Sequence, residues 1–373
     1  MKPKKINCLE GVRALSCLGV VLCHFQNGFF PNSRMAHAFF KTPLYYLFSG
    51  NTAVRVLFTL SGFVLCYKYF RTDDYSAVEQ DTLKRYFRLM LPTLAVTLLA
   101  CVLMRFGLMW NGEAAQYTGS QDFMGLFNQF EPNLKMSIIE GAWKSLFEGA
   151  ASYVGPLWTM RYEMLGSYFI LGAAAILRSR RSRYVFYAAY LLLFSDYYVY
   201  FVLGMMICDI YTHEERINRF FAGCQPFTVA LHIAAWCYIG MITNLDVFRW
   251  RNLGFYVAVF VMFLTLLNSN ALDRVWGNKA GVAVGKHAFS IYLLHWPVIE
   301  CFSCGFFLYM TGIGMAHKWV VLADLILTFP VVIGVSALFT RLVVEPAVRL
   351  SNRAAAVVMS GWKISGKPKE GRV

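Results

Sequence analysis

A few ionisable side chains stand where an apolar chain can least afford them. Arg13 and His24 fall in the first apolar stretch, Arg55 in the second, Glu163 in the fourth and His295 in the ninth. A charge at the centre of a membrane span costs roughly 2.5–3.5 kcal/mol on insertion scales, so each needs a reason. Eleven residues separate His24 from Arg13, and eleven steps of about 100° return to within about 20° of the same helix face. The two groups are then about 16 Å apart along one axis. An arginine can grip a phosphate or carboxylate, and a neutral histidine can take a proton from a hydroxyl. Such a face connects an anionic donor at one end with a hydroxyl acceptor at the other. Arg85 and Arg88, one turn apart, could clamp phosphates or simply anchor a helix end beside Lys84. Glu163 could orient His24 or neutralise Arg161 or Arg55 as an ion pair. His295, followed by Trp296 and Pro297, could join the site or bond the backbone that the proline frees.

The elements that must hold these groups are apolar helices. Of 373 residues, 58% are apolar, 17% aromatic and only 15% charged, where soluble domains carry about 25% charged residues. Lipid must cover part of such a surface. The expected fold is all-α, a polytopic transmembrane bundle of about ten spans, near 9–29, 45–68, 89–109, 156–177, 184–195, 197–212, 226–243, 253–269, 288–310 and 319–342. Lys and Arg concentrate in the segments on one side of this arrangement, which places both termini in the cytoplasm. The formal charge of +14 is therefore topological, and no nucleic-acid partner is expected, because the basic residues form no single stripe.

The opening run carries Glu10 and Arg13 and no clear small-residue cleavage site, so it reads as an uncleaved first span. Most of the ten cysteines sit inside apolar runs as small hydrophobes. Cys301 and Cys304 have a CxxC spacing but no second pair, and no metal is expected. Residues 1–350 are expected to form the membrane domain and 351–373 a short basic cytoplasmic tail. The longest outer segment, about 110–154, mixes Asn, Gln, Phe and Trp. That mixture suits sugar rings, whose faces stack and whose hydroxyls bond, and it equally suits a re-entrant or interfacial loop.

Five motifs in order resemble the membrane-bound acyltransferase family 3. Leu9-Glu10-Gly11-Val12-Arg13-Ala14-Leu15 with His24 resembles its first-helix signature, and Leu57-Phe58-Thr59-Leu60-Ser61-Gly62-Phe63 its second-span motif. Arg85-Tyr86-Phe87-Arg88 with Pro92 is similar to its double-arginine motif, and Leu157-Trp158-Thr159-Met160 with Glu163 to its fourth-span motif. Phe289-Ser290-Ile291-Tyr292-Leu293-Leu294-His295-Trp296-Pro297 looks like its late motif. The resemblance implies a plasma (inner) membrane enzyme that moves an acyl group, commonly acetyl from acetyl-CoA, to an extracytoplasmic carbohydrate or lipid-linked glycan. Carried onto this chain, His24, Arg13 and Glu163 would be catalytic, Arg13, Arg85 and Arg88 would hold the coenzyme, and Trp158, His295 and Arg55 would face the acceptor. Arg55 and Met164 depart from the pattern, which leaves an Arg55–Glu163 pair open. A glycan or lipid transporter built on the same polar residues is the competing reading, and thioester consumption separates the two.

Overall fold

The computed structural model describes residues 6–31, 42–242 and 249–365. The expected basic ends, residues 1–5 and 366–373, lie outside the described residues. Among those described, the chain is all-helical, and ten helices fall where the apolar stretches do: α1 (Asn7–Phe29), α2 (Gly50–Thr72), α3 (Tyr75–Arg105), α4 (Trp158–Ile176), α5 (Arg180–Leu193), α6 (Tyr198–His213), α7 (Gln225–Ile242), α8 (Arg249–Asn268), α9 (Ala288–Gly312) and α10 (His317–Met359).

Ten helices are not ten crossings. By length and composition, five of them (α1, α2, α3, α9 and α10) can cross a bilayer among the described residues. The number rises to seven if α7 and α8 are each joined to the short helix bent nearly at right angles from it. The reason is length and charge. Here α5 has 14 residues and α6 has 16, short of the roughly 20 needed, and α4 carries Arg161 and Glu163 near its start. Helix α6 packs inside the bundle, whereas α5 buries only Arg183 and Tyr187 and leaves Val185 and Leu193 exposed. Helix α10 runs through position 351 without a break, with Ser351 and Ala355 buried.

Close approach holds the centre together. A side-chain carbon at Gly62 of α2 would collide with the carbonyl of Phe201 on α6, and one at Gly204 with the carbonyl of Thr59, so the two backbones touch. Small residues serve this purpose between helices in lipid, where dispersion contacts replace hydrophobic drive. Gly11 of α1 meets the Trp276 carbonyl and Gly285 the Glu10 carbonyl in the same way. That contact brings the short helix Lys279–Gly285, and Lys286 after it, against the start of α1. The windows of α9 and α1 are 72% and 67% buried, against 28% for α10. Thus α1 and α9 form the inside of the bundle, and α10 offers an apolar outer face.

The segment 110–154 is folded rather than a loose loop. Thr97 of α3 donates to the Ser137 carbonyl at 3.0 Å and Tyr86 to the Ala142 carbonyl at 3.0 Å. The run Leu134–Phe147 therefore lies antiparallel along α3, reaching the level of the double-arginine motif. Two of the segment's buried polar groups are met locally: Glu140 accepts from the Tyr153 amide at 3.0 Å, and the Tyr153 hydroxyl donates to the Asn133 carbonyl at 2.8 Å.

Candidate active site

Four helices bring Arg13, Arg85, Arg88 and Glu163, half of the singled-out residues, to one cavity of about 290 Å³. Arg13 and Cys17 of α1, Arg85 and Arg88 of α3, Glu163 and Thr159 of α4, and Lys286 with Tyr292 of α9 line it. The helix registers order these groups along the cavity. Arg13 lies in the second turn of α1, and Lys286 just before α9, so both mark the same end. Tyr292 is one turn into α9 and bonds Thr159 at 2.8 Å, which marks the other end.

Charge at the first end is unbalanced. Glu163 pairs with Arg85 and accepts from Ser61 at 2.9 Å, while Glu10 pairs with Arg13 at 3.0 Å. Arg88 and Lys286 line the same cavity. Two carboxylates thus face four cations. The Arg85 Nε is buried without a hydrogen-bond partner. His287, just before α9, feels the same field: burial, then Arg341 and Lys286, hold its imidazole below the ordinary range. The arrangement suits a polyanion such as a diphosphate, which guanidinium groups bind by charge-assisted hydrogen bonds.

Just beyond the hydroxyl end stand two histidines. His24 Nδ1 lies 2.8 Å from His295 Nε2, with the rings stacked at 5.0 Å. His295 Nδ1 is 3.0 Å from the Ile291 carbonyl. A carbonyl only accepts, so His295 carries its proton on Nδ1 and presents a lone pair at Nε2. His24 then donates from Nδ1 and keeps a bare Nε2. The Ile291 carbonyl thus fixes the tautomer of both rings. The result is a nitrogen base oriented by a second imidazole. His295 is fully buried and His24 only partly so.

Several expectations are corrected. Glu163 does not stand beside His24; it bonds Arg85 and Ser61 at the charged end. Arg55 does not pair with Glu163 either. Its guanidinium lies over the rings of Tyr200 at 5.8 Å and Phe255 at 5.4 Å. Trp158 packs on Tyr162 and Tyr197, and neither Trp158 nor Arg55 lines the cavity. Lys286 and Thr159 are cavity residues that sequence reasoning passed over, although Thr159 stood within a quoted motif. Among the described residues, no group of three or more His, Cys, Asp or Glu could hold a metal ion.

A family model described as an acyltransferase domain matches residues 6–341. The chain is 25% identical over 367 residues to O-acetyltransferase PaAT-1 of Phomopsis amygdali, covering 78% of this chain and 72% of that relative. No solved structure matches it.

Proposed function

The chain belongs to the acyltransferase domain family, and from that premise we propose that it carries an acetyl group from cytoplasmic acetyl-CoA to a hydroxyl of an extracytoplasmic glycan or glycolipid. The observation that carries this reading is a cavity, cationic at one end and ending one turn short of the His24–His295 pair. Both termini lie in the cytoplasm in this reading, so the cationic end faces inward, and the membrane is the plasma (inner) membrane. Arg88, Lys286 and Arg13 hold the phosphates, with Arg85 positioned by Glu163. The thioester arm then follows the apolar wall of Leu57, Phe58 and Leu89 toward Tyr292.

His24 Nε2 takes the proton of the acceptor hydroxyl as its oxygen bonds to the thioester carbonyl carbon. The carbon–sulfur bond breaks, and the departing sulfur receives that proton from His24. The Tyr292 hydroxyl, at this end of the cavity, donates to the oxyanion that forms between these events by turning away from the Thr159 hydroxyl and Pro156 carbonyl that it meets in the structure. His295 accepts from His24 Nδ1 and so stabilises the imidazolium. It acts as a positioning residue, in the way an orienting partner serves a catalytic base.

The test uses purified protein in lipid, acetyl-CoA and detection of free thiol. Wild type should release thiol when a glycan fraction is added, and His24→Ala should not. Equal release by the two proteins would remove His24 from the chemistry. No release by folded wild type with any donor or glycan would move the reading to transport.

A further inference from the structure

On the far side of the histidine pair, a second set of polar groups plays no part in the transfer step. Glu300 follows Trp296 by one turn, inside the π turn of α9, and is fully buried. Its Oε1 accepts from Asn128 Nδ2 at 2.8 Å, but its Oε2 has no hydrogen-bond partner. Asn128 sits in the left-handed backbone region at φ 59°, where Asn is tolerated. Its Oδ1 is also buried and unpartnered. The Trp296 indole Nε1 is directed at the same carboxyl and falls short of hydrogen-bond geometry. Two acceptors and one donor are therefore left open together.

A structural anchor alone does not explain this. The Asn128–Glu300 bond, with the Trp110 amide on the Glu300 carbonyl at 3.0 Å, already ties the loop to α9. Each further buried polar atom left unpaired costs about 1–3 kcal/mol. The surroundings are aromatic. Phe127 and Phe123 stand edge-on to Trp296 at 4.8 and 5.5 Å, and His24 lies 5.0 Å from Trp296 and 5.9 Å from Phe123. Phe123, Phe127, Asn128 and His24 are only partly buried, so the group opens on the loop side.

We propose that Glu300, Asn128 and Trp296 form the hydroxyl-reading site for the acceptor. A hydroxyl next to the one that reacts bonds Glu300 and Asn128, while the apolar face of the same ring rests against Phe123 and Phe127. The ligand class is a glycoside: a ring with neighbouring hydroxyls and one apolar face, whose C–H surface suits aromatic side chains. This site rests on His24 as the base, because it places the reacting hydroxyl at that ring.

Glu300→Gln isolates the claim. The glutamine carbonyl can still accept from Asn128 and keep the loop anchored, while the open acceptor is replaced by an amide N–H. The probes are octyl glycosides with glucose, galactose and N-acetylglucosamine head groups, titrated onto protein in lipid nanodiscs. Wild type should bind at least one of them, and Glu300→Gln should weaken that binding about tenfold, the size expected for loss of one buried hydrogen bond. Coenzyme A binding and melting temperature should stay unchanged. If Glu300→Gln does not fold, Trp296→Phe, which keeps the ring and removes the N–H, should weaken binding about threefold. Unaltered glycoside binding in the folded variant, or binding of none of the three by wild type, overturns the site. Thiol release that depends on His24 would survive that result, whereas loss of thiol release with glycoside binding intact would sink the transfer reading alone.

Discussion

Asp209 and Glu300 are both fully buried carboxyls, and the fold treats them in opposite ways. Asp209 on α6 receives Arg183 Nε at 2.6 Å and Nη2 at 3.0 Å, the Tyr187 hydroxyl at 3.1 Å and His213 Nδ1 at 2.8 Å. The Arg183 guanidinium is further covered by the Phe70 ring at 4.8 Å. Nothing there is left to bond. Glu300 has one side-chain donor and an open oxygen. Buried charge is thus a poor marker of function by itself, since a closed network rigidifies the core. An incomplete network in the same interior is the better marker. Glu163 falls between the two: bonded to Arg85 and Ser61, yet on a cavity wall where Arg85 Nε remains open.

The comparison can be broken most sharply at the histidine pair. His24→Ala should lower acetyl transfer by about 10²–10⁴-fold, the range of general-base catalysis, with the melting temperature unchanged. At the closed cluster the effects should reverse. Asp209→Ala leaves Arg183 uncompensated and should cost about 3–5 kcal/mol of stability, read as a large fall in melting temperature and folded yield. Full thermal stability in Asp209→Ala would erase the distinction between the two clusters. His295→Leu should lower kcat about 10–100-fold at constant KM for acetyl-CoA, and His295→Gln should recover part of that loss because its carbonyl can accept from His24. The smallest effect is expected at the exposed cation. Arg88→Ala should raise the KM for acetyl-CoA about tenfold with little change in kcat, and added salt should raise the wild-type KM toward the variant value.

Hydropathy was enough to locate ten helices, because each carries its own apolar run. It could not say which ones cross, because the short α6 buries its apolar surface against α2 and not against lipid. Arg13 and His24 were legible together, since one helix period relates them. The His24–His295 bond was not, because it joins positions 271 residues apart. Glu163 was assigned to the wrong neighbour for a similar reason. Its depth depends on how the preceding segment folds, and no local periodicity records that. Glu300 did leave a signal, a carboxyl in an apolar span five residues past His295, but only its unpaired oxygen separates it from Asp209.

The run Leu134–Phe147 bears on how the protein is made. At about 1.5 Å per residue it is about 21 Å long, and it carries Lys135, Glu140 and Lys144. It is too short and too charged to partition into lipid unaided. Its place exists only once α3 and α4 stand to receive it, through Thr97, Tyr86 and the contact of Ser145–Phe147 with α4. A two-stage assembly is the expected order: the long helices enter the bilayer first, and this segment docks onto them afterwards.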